Sequence, residues 1–443
     1  MAKAMSGKEI LAQFFDESAY QELCAGAQGA VTAAFGSANG TPVYVVCQSG
    51  AAVAAKDTEK MVKVLEMAAK TGNPVVTFYN SVGAKIEEGL AAVRGSANVA
   101  AAVAKLSGVV PQIAVVTGVC GASSALAAAN ADVCIMSKEG ELFLTAPFTS
   151  AAAGDKVENA GKAGFAAKAG VAALVTETAE EAAKKAAELV GLLPANNLSG
   201  PALFETAEPE GAYNLAKYQA EDALKAIADA GSALTLYAGY GKNVTTALAA
   251  VGGNVVGVVA TEAAPLCHNC VSKISRFVRL CDAFSIPVVT VVNTEGFAKS
   301  SSDDVAGGLR EAARLTGTYA DATTAKVAVV TGKAVGTAYT AFSGMDLTIA
   351  VEGCTIAALE PETAVTVLYK DELEAGSNIA ADTKKLAAAY AAEQCSAAAA
   401  LEAGAADFAV SAAGLRATLV GALDMLSTKR VQRLPKKHGN LSL

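Results

Sequence analysis

Lys60–Gly83 reads KMVKVLEMAAKTGNPVVTFYNSVG, and Lys273–Gly296 reads KISRFVRLCDAFSIPVVTVVNTEG. Laid over each other at a separation of 213 residues, the two stretches share seven of 24 positions: the lysine, the Pro-Val-Val-Thr run, the asparagine and the glycine. The same register places Ala25-Gly26 on Ala238-Gly239, Val31-Thr32 on Val244-Thr245 and Gly40 on Gly253. One residue further apart, IAVVTG at 113–118 falls on VAVVTG at 327–332, and Pro147 falls on Pro361. A single register held over so long a span is an internal duplication, which decides the fold before any other reading. We expect two homologous halves, residues 1–205 and 206–443, joined across the proline-, asparagine- and serine-containing segment around Pro194–Gly211.

Each half reads as α/β. Strands are expected at Val43–Cys47, Pro74–Tyr79 and Ile113–Thr117, and again at Val255–Ala260, Pro287–Val292 and Val327–Thr331. Between them run helices, Thr58–Lys70 and Val271–Phe284, the first with Met61, Val64, Leu65 and Ala68 at helical spacing. Unbroken apolar strands alternating with helices imply a sheet covered on both faces, with ligands at the carboxyl ends of its strands.

Composition removes several classes of function. Hydrophobic residues make up 53% of the 443 and charged residues 18%, which excludes a disordered chain. The net charge of −8 argues against a nucleic-acid binder. The one basic cluster, Lys429–His438, reads as a solvated or docked tail. Nine cysteines, mostly in apolar runs, and no signal-peptide pattern suggest reduced, buried thiols in a cytoplasmic protein. Leu106–Ala131 carries no charge and is long enough to span a bilayer, but Pro111 and its glycines break it into a strand, a turn and a helix.

The usual side-chain chemistries are missing. There are two histidines, His268 and His438, and no GxSxG, so a hydrolytic triad would rest on His268 alone. Cys267-His268-Asn269-Cys270 is a CxxC without a second pair to complete a zinc site; structural or site-lining cysteines are expected, with a metal or a redox role as equal alternatives. No Walker or GxGxxG fingerprint follows a strand. What remains is a pair of small-residue turns after the third strand of each half: Gly118-Val119-Cys120-Gly121-Ala122-Ser123-Ser124-Ala125 and Gly332-Lys333-Ala334-Val335-Gly336-Thr337-Ala338-Tyr339. Small side chains there leave backbone N–H groups uncovered at a helix start, where they can stabilise an oxyanion.

Four segments carry a family resemblance: SVGAKIEEG (81–89), SGVVPQIAVVTGVC (107–120), RFVRLCDAFSIPVVTVVNTEGF (276–297) and KKHGNLSL (436–443). The chain resembles the biotin-dependent acyl-CoA carboxyltransferases, such as propionyl-CoA carboxylase β subunits and biotin-dependent decarboxylase α subunits. The resemblance implies two crotonase-like (ClpP/crotonase superfamily) domains, the first binding acyl-CoA and the second facing biotin. It implies active sites formed between the N half of one protomer and the C half of another in a hexamer, a trimer of dimers. Biotin would sit on a separate biotin carboxyl carrier protein, with a biotin carboxylase or a membrane decarboxylase subunit as further partner. Chemistry would rest on two backbone oxyanion holes, Ala122-Ser123 for the acyl-CoA and Thr337-Ala338 for biotin. Gly83, Ala84, Lys85 and Gly121 would line the acyl-CoA side, and Gly296, Phe297 and Gly336 the biotin side.

The chain departs from the family at those motifs. Cys120-Gly121-Ala122-Ser123-Ser124 stands where the family has Cys-Ala-Gly-Gly-Ala, and Gly336-Thr337-Ala338 where it has Gly-Gly-Ala. Asn293-Thr294-Glu295-Gly296-Phe297 replaces DxPGF, and Leu359-Glu360-Pro361-Glu362-Thr363-Ala364 replaces a segment near MGxxGA. Two alternatives stay beside the leading one. The first is a carboxyltransferase-like scaffold subunit with altered chemistry. The second is a biotin-independent crotonase-type acyl-CoA enzyme, whose acid or base would come from Glu87, Glu88, Glu295 or His268.

Overall fold

The two halves carry the same sheet, strand for strand. The computed structural model describes residues 6–212, 218–342 and 344–440. In the first half the strands are β1 (Tyr20–Leu23), β2 (Val31–Ala38), β3 (Thr41–Gln48), β4 (Val75–Tyr79), β5 (Gln112–Val116), β6 (Val119–Gly121), β7 (Val133–Ser137), β8 (Glu141–Phe143) and β9 (Leu174–Thr176). Seven of them form one sheet in the order β1-β2-β3-β4-β5-β7-β9. The second half supplies β10 (Leu234–Leu236), β11 (Val244–Val251), β12 (Asn254–Thr261), β13 (Val288–Val292), β14 (Lys326–Val330), β15 (Lys333–Val335), β16 (Leu347–Val351), β17 (Thr355–Ala357) and β18 (Phe408–Val410). Its sheet runs β10-β11-β12-β13-β14-β16-β18. Off each main sheet lies a short parallel pair, β6 with β8 and β15 with β17. The chain divides into two compact units, Met1–Ala202 with Tyr237–Tyr240 and Leu203–Leu236 with Gly241–Leu443.

Both sheets open antiparallel before turning parallel, a feature the strand–helix alternation does not announce. The cause is local. Asn39 (φ 46°) and Gly40 (φ 73°) turn β2 into β3, and Gly252 (φ 58°) and Gly253 (φ 80°) turn β11 into β12. Positive φ at both central residues gives the hairpin turn whose twist suits antiparallel strands.

The helices that follow bury one stripe each. Ala55–Thr71 buries Met61, Val64, Leu65 and Ala68 and stops at Gly72 in the left-handed region. Its counterpart, His268–Ala283, buries Val271, Ile274, Phe277, Val278 and Cys281. The central strands β4, β5, β13 and β14 are buried at every position. Each aliphatic side chain so enclosed contributes about 1.5–3 kcal/mol.

The identical lysine of the repeat is a strap inside each unit. Lys60 Nζ donates to the carbonyl of Val31 at 2.7 Å, and Lys273 Nζ donates to that of Val244 at 2.6 Å. Asp132 and Asp346 form a second repeated device, each accepting the N–H of the residue that opens the adjacent strand, Gln112 or Lys326, at 2.8 Å. The basic tail docks on its own unit: Lys429 Nζ reaches Asp346 at 2.7 Å, Arg433 pairs with Asp282 and Lys436 with Asp321. The last three residues of KKHGNLSL lie outside the described residues. Leu106–Ala131 resolves into the end of a helix, β5, β6 and a helix from Ser123 to Asn130. Among the described residues no helix is long and apolar enough to cross a membrane.

Candidate active site

In each unit the carboxyl ends of two central strands shape one loop and one turn. After β4, Ser81 donates its N–H to the carbonyl of Val119 (2.8 Å), fastening the loop to the neighbouring turn. After β13, Thr294 does the same to Lys333 (3.0 Å). The Ser81 hydroxyl donates to Ala51 O and accepts from the Gly83 N–H, at 2.9 and 3.0 Å. The Thr294 hydroxyl repeats this with Ala264 O and the Gly296 N–H, at 2.9 and 3.2 Å. Gly83 (φ 115°) and Gly296 (φ 88°) then turn the chain where an L side chain is disfavoured.

Beyond these glycines the loop forms a single bridge to the strand-end segment beside it. Val53 N–H donates to Gly83 O and Lys85 N–H donates to Val53 O, at 2.9 and 2.8 Å. Leu266 N–H to Gly296 O and Ala298 N–H to Leu266 O, at 2.8 and 2.9 Å, repeat the pattern. Ala84 and Phe297, the equivalent middle residues, therefore point their N–H groups away from the bridge, and neither has an acceptor among the described residues. Ala84 and Lys85 are exposed and Phe297 is half-buried.

The turns after β6 and β15 set the second donor. Ala122 (φ 51°, ψ −119°) and Gly336 (φ 57°, ψ −120°) precede the helices Ser123–Asn130 and Thr337–Ala341. Their own N–H groups are engaged, Ala122 by Phe143 O at 3.0 Å and Gly336 by Ala357 O at 2.8 Å. Ala122 thus has no donor to offer a ligand. Ala338 is fully buried. Of the four residues expected as oxyanion donors, Ser123 and Thr337 are the two that are exposed and whose N–H groups have no acceptor among the described residues. They are equivalent under the duplication, whereas the pairs read from the sequence are staggered by one residue. Gly121 packs against Phe143, whose ring carbon would lie 2.5 Å from an added Cβ.

No side chain at either turn is set up as an acid, base or nucleophile. Burial, with Cys134 adding to it, pushes the Cys120 thiol well above its ordinary value. Glu88 accepts the Ala55 N–H at 2.6 Å. Glu295 and Glu360 both reach Lys333 Nζ, at 3.4 and 3.5 Å. His268 Nδ1 lies 2.6 Å from Asp303 Oδ1. Among the described residues no three His, Cys, Asp or Glu converge as metal ligands. The Glu295–Lys333–Glu360 cluster escapes a sequence reading because its members come from three separate segments: the loop after β13, the start of β15 and the residue before the helix Pro361–Leu368.

A family profile described as the carboxyl transferase domain matches residues 6–441. The chain is 32% identical to the methylmalonyl-CoA carboxyltransferase 12S subunit of Propionibacterium freudenreichii subsp. shermanii, over 94% of this chain and 84% of that protein. It is 30% identical to the methylmalonyl-CoA decarboxylase subunit alpha of Veillonella parvula, over 99% of this chain and 93% of that one. A solved transcarboxylase 12S hexamer, with methylmalonyl-coenzyme A and methylmalonic acid bound, superposes with a TM-score of 0.93 at 29% identity, covering 99% of this chain and 92% of that chain. The chain belongs to the carboxyl transferase domain family, and its halves are two crotonase-like domains. It is a carboxyltransferase of the biotin-dependent acyl-CoA class, whose reactants are a coenzyme A thioester and biotin held on a separate subunit.

Proposed function

We propose that each unit presents one backbone oxyanion site: Ser123 and Ala84 N–H groups for the thioester carbonyl of an acyl-CoA, and Thr337 and Phe297 N–H groups for the ureido carbonyl of biotin. The observation that carries this reading is the repeated geometry. In both halves a loop residue, Ala84 or Phe297, and an exposed helix-start residue, Ser123 or Thr337, keep N–H groups that no described residue accepts, at the ends of adjacent strands. Two such sites, not one, are what a reaction between two carbonyl compounds needs. Biotin, when bound, delivers or accepts the carboxyl group.

The protein's part is electrostatic. Charge building on each carbonyl oxygen meets preorganised donors, and removing one such donor typically costs about 10²–10³ in rate. A buried neutral thiol at Cys120, with Glu88 held by the Ala55 N–H and Glu295 and Glu360 by Lys333, leaves proton transfer to the reactants themselves. Exposed Lys85, which pairs with no carboxylate among the described residues, offers positive charge to the anionic coenzyme A. The acyl group is of the short, methylmalonyl-CoA kind named for the relatives. The working form is a cytoplasmic hexamer served by a biotin carrier and by a biotin carboxylase or membrane decarboxylase subunit.

Carboxyl-labelled acyl-CoA incubated with biotinylated carrier tests the proposal. Label should pass to biotin. No exchange with methylmalonyl-, malonyl- or glutaconyl-CoA would sink it in favour of the scaffold reading.

A further inference from the structure

Cys267 and Cys270 stand at the start of the helix His268–Ala283 with their sulfur atoms 3.1 Å apart. Cys267, the residue just before the helix, is half-buried, and Cys270 is 1% exposed. We infer that this pair is a reversible dithiol–disulfide couple whose oxidant is a low-molecular-weight disulfide.

The duplication shows what changed to make it. The equivalent positions in the first half are Ala54 and Asp57, where the Asp57 carboxylate accepts the Ala54 N–H at 3.0 Å and caps the helix. In the second half that acid is gone and two thiols occupy the spot. The helix start is capped instead from outside: Asp303 accepts the His268 N–H at 3.1 Å and holds the imidazole. Sulfur chemistry can therefore proceed without uncapping the helix. With His268 held by Asp303, no third ligand joins the two sulfurs as a metal site among the described residues.

The two thiols have unlike surroundings, as a dithiol couple requires. Cys267 is half-buried at the residue just before the helix, where an incoming disulfide can meet its sulfur. Burial raises Cys270 to about 11, so it stays protonated until its partner has reacted. Lys273, one turn on and electrostatically coupled to Cys270, favours the thiolate when it forms. In the first step the Cys267 thiolate attacks one sulfur of RSSR, forming a mixed disulfide and releasing RS⁻. Cys270 then loses its proton and attacks Cys267 Sγ, closing the protein disulfide and releasing the second RS⁻. Two thiols lose two electrons and two protons, and RSSR gains them as two RSH.

Full-length protein is equilibrated in buffers of oxidised and reduced glutathione, quenched with an alkylating agent and weighed by mass spectrometry with peptide mapping. The wild type should lose two hydrogens, map to a Cys267–Cys270 link and regain both thiols in dithiothreitol. Cys270→Ser should stop with one glutathione on Cys267, and Cys267→Ser should leave Cys270 unmodified. The inference is overturned if the wild type carries a lasting glutathione on Cys267, or if both thiols stay alkylatable across the series. Neither readout depends on carboxyl transfer, so its failure is separable from failure of the enzymatic proposal.

Discussion

Ala122 and Gly336 hold one backbone conformation at equivalent points of the two halves, φ/ψ of 51°/−119° in the first and 57°/−120° in the second. Glycine adopts it without cost, whereas a residue with a Cβ held in such a region is strained by about 1–3 kcal/mol. Glycine's greater freedom in the unfolded chain returns about 0.5–1 kcal/mol of that difference. Ala122→Gly should therefore stabilise the protein by about 1 kcal/mol, read as a higher denaturant midpoint at unchanged slope. Gly336→Ala should destabilise it, and its new Cβ would also lie 3.1 Å from Ala358 O. A neutral or destabilising Ala122→Gly would refute the strain.

Gly118 and Gly332 admit no side chain for a different reason. A Cβ at Gly118 would lie 2.1 Å from Asn80 Oδ1, and one at Gly332 would lie 2.1 Å from Asn293 Oδ1. Each asparagine begins the loop that carries the proposed donor, so a push there misplaces the site. Misplacement by about 1 Å can cost on the order of 100-fold in rate. Gly118→Ala should lower kcat/KM by that order, and adding Asn80→Ala should recover part of it by removing the obstructing carboxamide. A double variant no better than the single would show that the contact with Asn80 is not the cause.

The duplication, the strand ends and the two turns are legible in the sequence because they rest on local repetition: Pro-Val-Val-Thr twice, and Val-Thr-Gly before each turn. The antiparallel opening was legible too, in Asn39-Gly40 between apolar runs, but a search for strand–helix alternation passes over it. The donors are another matter. That Ala122 is engaged depends on Phe143, some twenty residues on and on a strand of three residues. That Ala338 is buried depends on how its short helix packs. Hydrogen-bond occupancy and burial are set by long-range pairing, so the sequence motif marks the two turns but not which of their N–H groups is left without an acceptor. The same limit applies to the repeated lysine, whose carbonyl partners, Val31 and Val244, lie 29 residues upstream in the chain.

Lys273 offers a test through pH. Its ammonium is buried beneath the strand end of Val244, and burial holds it down to about 8, with Cys270 acting in the opposite sense. An unfolded chain restores the ordinary value of 10.5. Between those values the unfolded state binds more protons than the native one, so stability rises with pH across that window. Below about 8 the cost of burying the charge is fully present. Under reducing conditions the stability of the wild type relative to Lys273→Met should grow by up to roughly 2 kcal/mol between about pH 7 and pH 10. Urea midpoints of the two proteins across that range measure it, and a constant difference would contradict the buried, depressed lysine.

Ser123 and Thr337 donate, in the proposed reaction, through backbone N–H groups that no side-chain substitution removes. Replacing either residue by its α-hydroxy acid turns the amide into an ester and deletes that donor alone. Both N–H groups lie at the first position of a helix, where no intrahelical bond is lost. The fold should therefore survive, as circular dichroism can check, while kcat falls by about 10²–10³ and KM changes little, because the donor acts on charge that develops in the transition state. Loss at residue 123 should suppress exchange at the α-carbon of the acyl-CoA, and loss at residue 337 should suppress decarboxylation or carboxylation of free biotin. If either ester variant keeps full turnover, that N–H is not part of an oxyanion site, and the remaining unpaired donor of that unit, Ala84 or Phe297, could not form the site alone.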